Sequence, residues 1–300
     1  MTRRPLLASL LASAAALAAM PSALAADAGC PPDPIRFGVV PYDSSAGFVP
    51  LYKQIAQLVS QKLGCPVELQ IGTSYNATIE AMRAGKLDVA EFGPLSYVLA
   101  HEVAKAEVVA TYSNAEGKPD TYTASIVTWP GSGITDLKGV AGRTFAYSDP
   151  ASTSGHLFPA YGLAQNGIDP DKGVRAIYAG SHTASFEALH NRKVDAGELN
   201  SSEIASATVA GIYKPGDYVT LWTSRPIPQD PITVRGDLDP ALKARITASL
   251  QGLDFGSIPA DQRKIINVGG TTLVPQTDSA FDQIRDLVHV LHIDLAKLNS

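Results

Sequence analysis

Two cysteines, three methionines and two tryptophans in 300 residues leave no material for a disulfide-dense scaffold or a thiolate metal cluster. Charged residues make up only 18% of the chain, and no basic excess exists: 24 Lys and Arg face 29 Asp and Glu, a formal charge of -5. Nucleic acid is thereby excluded as a partner, because a phosphate backbone is held by clustered cations. Any anion bound here must be held by local donors and dipoles. After the first 25 residues no apolar run approaches the roughly 18 residues of a membrane span. Also missing are Gly-x-x-x-x-Gly-Lys-Ser/Thr and a strand-linked Gly-x-Gly-x-x-Gly, which cradle nucleotide phosphates, and the Gly-x-Ser-x-Gly nucleophile elbow. His101-Glu102 lacks the second histidine of a zinc-protease helix. His289-x-x-His292 has metal spacing, but no cysteine or carboxylate cluster completes a ligand set, so a solvated helix face is expected. Neither a metal nor a cofactor is expected.

The N-terminus is informative for what it does contain. Arg3 and Arg4 precede an apolar run over 6–20 and the small-residue stretch Ser22-Ala23-Leu24-Ala25. That order predicts a secretory signal peptide over 1–25, cut after Ala25 or Ala26. A lipid anchor at Cys30 is not expected, because Asp27-Ala28-Gly29 puts an acid where that signal needs a large aliphatic residue. The mature chain of about 275 residues then works outside the cytoplasm, in the periplasm, with charge -7 once Arg3 and Arg4 are subtracted from -5. An oxidising compartment favours a disulfide between Cys30 and Cys65; a metal held by two such distant cysteines is the weaker alternative.

Periodicity predicts an α/β chain in two units. Ile35-Arg36-Phe37-Gly38-Val39-Val40 reads as a buried strand, and Phe48, Leu51, Ile55, Leu58, Val59 and Leu63 recur at helical spacing up to a C-cap at Gly64. Strands over 67–71 and 87–92 flank a helix over 76–84, which makes βαβαβ and hence a sheet covered by helices. The pattern recurs after Thr121 with strands over 122–129, 144–147 and 174–178 and helices after Ser154 and through 185–190. Residues 27–120 with 226–300 are expected to form one lobe and 121–225 the other, the chain crossing twice. Two open α/β sheets facing each other place a ligand cleft at the carboxyl ends of their strands.

The loops after those strands hold the candidate chemistry. After Tyr147 comes Ser148-Asp149-Pro150-Ala151-Ser152-Thr153-Ser154-Gly155-His156 at a helix start. Hydroxyls and orphan backbone N–H groups at a helix N-terminus bind a tetrahedral oxyanion without a lysine or arginine. The same serines also serve as ordinary N-caps, and both readings stand at this point. His182, in Gly180-Ser181-His182-Thr183, is a further donor on a strand-to-helix loop. Ser152, His182 and Asp230 compose a hydrolase triad only if geometry aligns them.

Several segments together resemble the phosphate/phosphite/phosphonate-binding family of ABC-transporter periplasmic proteins. They are Glu80-Ala81-Met82-Arg83-Ala84-Gly85-Lys86-Leu87-Asp88-Val89-Ala90, Phe92-Gly93-Pro94-Leu95-Ser96-Tyr97, the 149–155 loop, Gly180-Ser181-His182 and Ile227-Pro228-Gln229-Asp230-Pro231. The resemblance spans nearly the whole mature chain in order. It implies a two-lobed type II periplasmic binding protein fold, each lobe a mainly parallel sheet flanked by helices, with no catalysis and no cofactor. It implies a monomer that closes on a small phosphorus oxyanion, phosphite, methylphosphonate or a related phosphonate or phosphate, and hands it to an ABC permease. By motif, Ser152, Thr153 and Ser154 grip the oxygens, Tyr75 and Tyr122 line the cleft, and His182 and Asp230 complete the set. The family's aminoalkylphosphonate binders carry an acid in the 200–203 stretch, where Ser202 stands in register and Glu203 one step away. That departure points to a small ligand without an ammonium group. Glu91, where the family commonly has an aromatic residue, lines the cleft or faces solvent. Two rival readings remain: an oxyanion sensor, for example for arsenite, serving a membrane histidine kinase, and a secreted hydrolase using Ser152 and His182.

Overall fold

The computed structural model describes residues 29–266 and 268–295; the expected signal peptide lies outside the described residues. The chain begins β1 (Ile35–Val39), α1 (Phe48–Leu63), β2 (Val67–Ile71), α2 (Tyr75–Arg83), β3 (Val89–Glu91), α3 (Pro94–Ala104) and β4 (Ala106–Tyr112). There follow β5 (Thr121–Tyr122), β6 (Ala124–Thr128), β7 (Thr144–Tyr147), α4 (Phe158–Gln165), β8 (Arg175–Tyr178), α5 (His182–His190), β9 (Ala196–Asn200), α6 (Ser201–Val209) and β10 (Val219–Thr223). The last part holds β11 (Ile227–Pro228), β12 (Pro231–Arg235), α7 (Pro240–Leu250), α8 (Ala260–Arg263), β13 (Leu273–Pro275) and α9 (Asp282–Val290).

Two sheets result, a six-stranded one in the order β13-β4-β12-β3-β1-β2 and a five-stranded one in the order β10-β6-β9-β7-β8. A two-stranded ribbon, β5 with β11, joins them where the chain crosses and returns. Mainly parallel sheets were the expectation, and this is corrected: both are mixed, parallel in β2-β1-β3 and in β9-β7-β8 and antiparallel elsewhere. The reason lies in the crossings. Strands of a βαβ unit run toward the cleft, whereas the strand that follows each crossing starts at the cleft and runs away from it. Thus β6 pairs antiparallel with β9 and β10, and β12 inserts antiparallel between β3 and β4. The strand expected over 122–129 is broken at Thr123 for the same reason, since β5 belongs to the ribbon and β6 to the second sheet.

Packing follows the hydrophobic periodicity. Helix α1 buries Phe48, Leu51, Tyr52, Ile55, Ala56, Val59 and Leu63 on one face, against one side of the larger sheet, and ends at Gly64 with φ 73°. Each large apolar side chain so buried contributes about 1.5–3 kcal/mol. The opposite side of that sheet packs with α2, α3 and α9, a cluster that also takes in Leu157 and Phe158 from the second unit. Smaller clusters around Phe145 and around Phe186 cover the two sides of the second sheet. Cys30 and Cys65 are joined, with their Cα atoms 5.6 Å apart.

This topology positions the site. In the first unit, α2 and α3 begin just beyond the ends of β2 and β3; in the second, the 153–157 turn, α5 and α6 begin just beyond β7, β8 and β9. Side-chain caps at Ser74, Ser152, Ser181 and Asn200 mark four of these helix starts.

Candidate functional site

The wall from the second sheet is built of donors. Ser152 caps the π-helical turn Thr153–Leu157, its Oγ accepting from Gly155 N at 3.1 Å. Gly155 is demanded by close approach, because a Cβ there would sit 1.7 Å from Ser148 Oγ and 2.9 Å from His182 Cε1. His182 is the first residue of α5, and its Nε2 lies 3.3 Å from Ser152 Oγ. Its Nδ1 lies 2.9 and 3.0 Å from the two carboxylate oxygens of Glu198, a residue with no exposed surface. Those contacts put a proton on Nδ1, donating to Glu198, and turn Nε2 toward Ser152 and the cavity, where it accepts when the ring is neutral and donates when it is protonated. Tyr75, the first residue of α2, engages Ser152 with its hydroxyl, and Tyr122 engages Ser154 and Thr153.

The wall from the first sheet is built of acids and tyrosines. Glu91, at the end of β3 and 1% exposed, accepts from Tyr52 Oη at 2.5 Å and from Tyr112 Oη at 2.7 Å. Tyr42 Oη adds a third hydroxyl, 2.9 Å from that of Tyr52. Burial pushes the Glu91 carboxyl up to about 7, against the two tyrosine hydrogen bonds, which pull it down. Asp230 is pushed well above the carboxylate range, first by burial and then by the charge of Glu91. By contrast Asp88, remote from the cleft at the start of β3, stays below it: burial opposes its charge, but hydrogen bonds from Arg36 and Arg235 prevail.

The walls meet directly. His182 N donates to Tyr42 O at 3.0 Å, Ser44 N to Thr183 Oγ1 at 3.1 Å, and Leu95 N to Thr153 Oγ1 at 2.8 Å. Between them lies a cavity of about 50 Å³. That is room for about four waters, hence for a ligand of a few heavy atoms. Among the described residues no lysine or arginine lines it.

All eight residues singled out from the sequence, Tyr75, Tyr122, Ser152, Thr153, Ser154, His182, Ser202 and Asp230, line this one cavity. Two details differ from the sequence reading, and a third point left open there is decided. The acid on His182 is Glu198 rather than Asp230, because β9 lies beside β7 and brings Glu198 beneath the ring. Glu203 reaches the cavity as well as Ser202, so a further carboxylate does stand beside the ligand space. Of the two places left open for Glu91, the structure selects the cleft, where it is buried. Tyr42, Tyr112 and Asn200 also line it, unnoticed in the sequence; the cap signal at Asn200-x-x-Glu203 was the one local pointer among them. His289 and His292 are exposed, and no group of three metal-ligating side chains forms around them among the described residues.

Comparison with known families decides the class. The model of the ABC-transporter phosphonate periplasmic substrate-binding protein family matches residues 37–281. The chain belongs to this family. Its members are periplasmic binding components of ABC transporters. Among relatives, a phosphate-import protein PhnD from Mycolicibacterium smegmatis is 27% identical, over 86% of this chain and 86% of its own length. A phosphonates-binding periplasmic protein from Escherichia coli is 28% identical, over 84% of this chain and 75% of its own. Among solved structures, a binding component of an ABC phosphonate transporter from Pseudomonas aeruginosa superposes with a TM-score of 0.73 at 25% identity, covering 88% of this chain and 96% of that one. PhnD1 from Prochlorococcus marinus, solved with methylphosphonate, shares the fold with a TM-score of 0.73 at 20% identity, covering 86% and 98%. The two-lobed binding-protein fold is thus the fold of this chain.

Proposed function

We propose that this protein, exported by a cleaved signal peptide, captures a small phosphorus oxyanion in the cleft, as a monomer, and delivers it to an ABC permease. The observation that carries the reading is the donor wall: Ser152, Thr153, Ser154 and His182 converge at helix N-termini on a cavity of about 50 Å³ with no lysine or arginine among its described lining residues. Hydroxyl donors and helix dipoles suit an anion whose charge is spread over several oxygens. Opposite, Asp230 accepts from a protonated ligand oxygen, while Ile265 and Ile266 leave space for an apolar substituent such as a methyl group. Phosphite, methylphosphonate and related phosphonates or phosphate fit this division.

Closure is the signal the permease reads. The lobes, taken as 27–120 with 226–300 and as 121–225, would turn about the β5–β11 ribbon, and the direct bridges between His182 and Tyr42 and between Thr153 and Leu95 hold the closed state. Binding without turnover is the reading for Ser152, whose Oγ is engaged as a helix cap by Gly155. Titration calorimetry of the mature protein with phosphite, phosphate, methylphosphonate, 2-aminoethylphosphonate and arsenite tests it. One phosphorus oxyanion is expected to bind tightly, with Ser152→Ala and His182→Ala each weakening it roughly tenfold to a hundredfold, as loss of a hydrogen bond to a charged group does. Silence toward the four phosphorus compounds, selective binding of arsenite, or turnover of a chromogenic phosphate ester would each overturn the reading.

A further inference from the structure

The cleft is rich in carboxyl groups. Asp43, Glu91, Glu203 and Asp230 line it and Glu198 stands directly behind His182, with no lysine or arginine among the described lining residues. Glu203 stands apart from the rest. It sits in the first turn of α6, 9% exposed, with both carboxylate oxygens buried and without a hydrogen-bond partner. A glutamate three residues after the cap ordinarily closes a capping box by accepting from the cap residue's backbone N–H. Asn200 supplies its half, its Oδ1 accepting from Glu203 N at 2.8 Å. The Asn200 N–H makes no hydrogen bond of normal geometry with the Glu203 carboxylate. Buried carboxylates in native proteins are otherwise paired with a donor or a cation.

We propose that His182, Glu198 and Glu203 form a binding site for a divalent cation of the zinc class, set against the oxyanion cavity. Each offers one ligand atom, and the three atoms lie within 4.8 Å of one another. Side-chain rotation brings such a set to the roughly 3.4 Å ligand spacing of a tetrahedral site with bonds of about 2.1 Å. One imidazole and two carboxylates suit a borderline cation, and three protein ligands leave a fourth position open. A cation on Nδ1, the ring nitrogen that faces Glu198, replaces the proton there, so that Nε2 carries the N–H toward Ser152 and the cavity. The cation brings positive charge beside the oxyanion cavity and keeps Nε2 of His182 a donor toward it; this consequence alone rests on the oxyanion reading above.

The test uses tag-free mature protein stripped with EDTA, dialysed and titrated with Zn2+ alone. One saturable site is expected, along with a rise in unfolding temperature on zinc addition. Glu203→Gln and Glu198→Gln are expected to weaken zinc roughly tenfold to a hundredfold. Unfolding temperatures measured without metal check that both variants fold, and Glu203→Ala serves as a second lesion of the same ligand. Absence of saturable zinc binding, or binding that Glu203→Gln leaves unchanged, overturns the site. A parallel titration with methylphosphonate and 2-aminoethylphosphonate in EDTA keeps the ligand reading separate. If Glu203→Gln there weakens only the amino compound and zinc does not bind, the carboxylate serves the ligand's ammonium group and the metal assignment falls.

Discussion

The two walls of the cleft are made in opposite ways. The donor wall comes from short, contiguous stretches: Ser152, Thr153 and Ser154 start one helical turn, and His182 starts α5. Its polarity follows from local geometry, because the start of any helix presents unpaired N–H groups. The acid wall is assembled at a distance. Glu91 stands 39 residues from Tyr52 and 21 from Tyr112, and the charge of Glu91 is what acts on Asp230 from another strand. The acid wall also holds a carboxyl, that of Glu91, which burial pushes up to about 7. On the proposed reading the first wall would grip the ligand and the second would tune that grip with pH.

Four experiments would break or sharpen that contrast. The largest effect is expected from Gly155→Ala, which forces Ser148 and His182 apart and dismantles the donor wall. Calorimetry should find methylphosphonate binding weakened by more than roughly a hundredfold, and urea unfolding should show a loss of about 1–3 kcal/mol from overpacking. Unchanged binding would mean that the donor wall does not depend on this close approach.

Next comes Glu91→Gln, read as stability against pH. The folded-state pKa of Glu91 is raised, so its favourable contribution is complete below about 4.5, the unfolded value, and is lost as the pH climbs through about 7. Across that window the wild-type protein should lose about 3 kcal/mol more than the variant in denaturant titrations at pH 4.5 and pH 8. Tyr52, Tyr112, Tyr42 and Asp230 are the titratable groups around it, and the tyrosines stay protonated throughout, raised well above their ordinary range by burial. Parallel curves for the two proteins would remove Glu91 as the titrating group.

Glu198→Gln should act on the donor wall from behind. With the carboxylate gone, the His182 tautomer is no longer held, and methylphosphonate affinity in EDTA should fall roughly tenfold. An undiminished affinity would show that Ser152 alone orients the ring. Tyr112→Phe is the mildest change, removing one donor from Glu91 at a cost of about 1 kcal/mol. It should also move the Glu91 transition to higher pH, because that hydrogen bond favours the charged form. Binding of methylphosphonate at pH 6 should hardly change, and a large change would show the walls to be coupled.

Much of the fold was legible because it is locally encoded. The spacing of Phe48, Leu51, Ile55 and Val59 and the stop at Gly64 specified α1, and the repeated βαβ pattern specified two sheets. Ser152, Ser154 and His182 were legible because a cap and a helix start are written in neighbouring residues. The antiparallel insertion of β12 and β6 was not, since strand direction in a sheet depends on which end of the cleft the chain enters from.

By itself, then, the sequence determined the two α/β units, the helix caps and the serines and histidine of the donor wall, all products of interactions within a few residues. Tertiary structure alone decided that Glu198 rather than Asp230 supports His182, that Glu203 turns an unpaired carboxylate toward the cavity, and that Glu91 is buried between two tyrosines. The physical reason is desolvation: a carboxyl's charge depends on how much water surrounding chain removes and which distant donors replace it, and only the packed molecule brings those groups together.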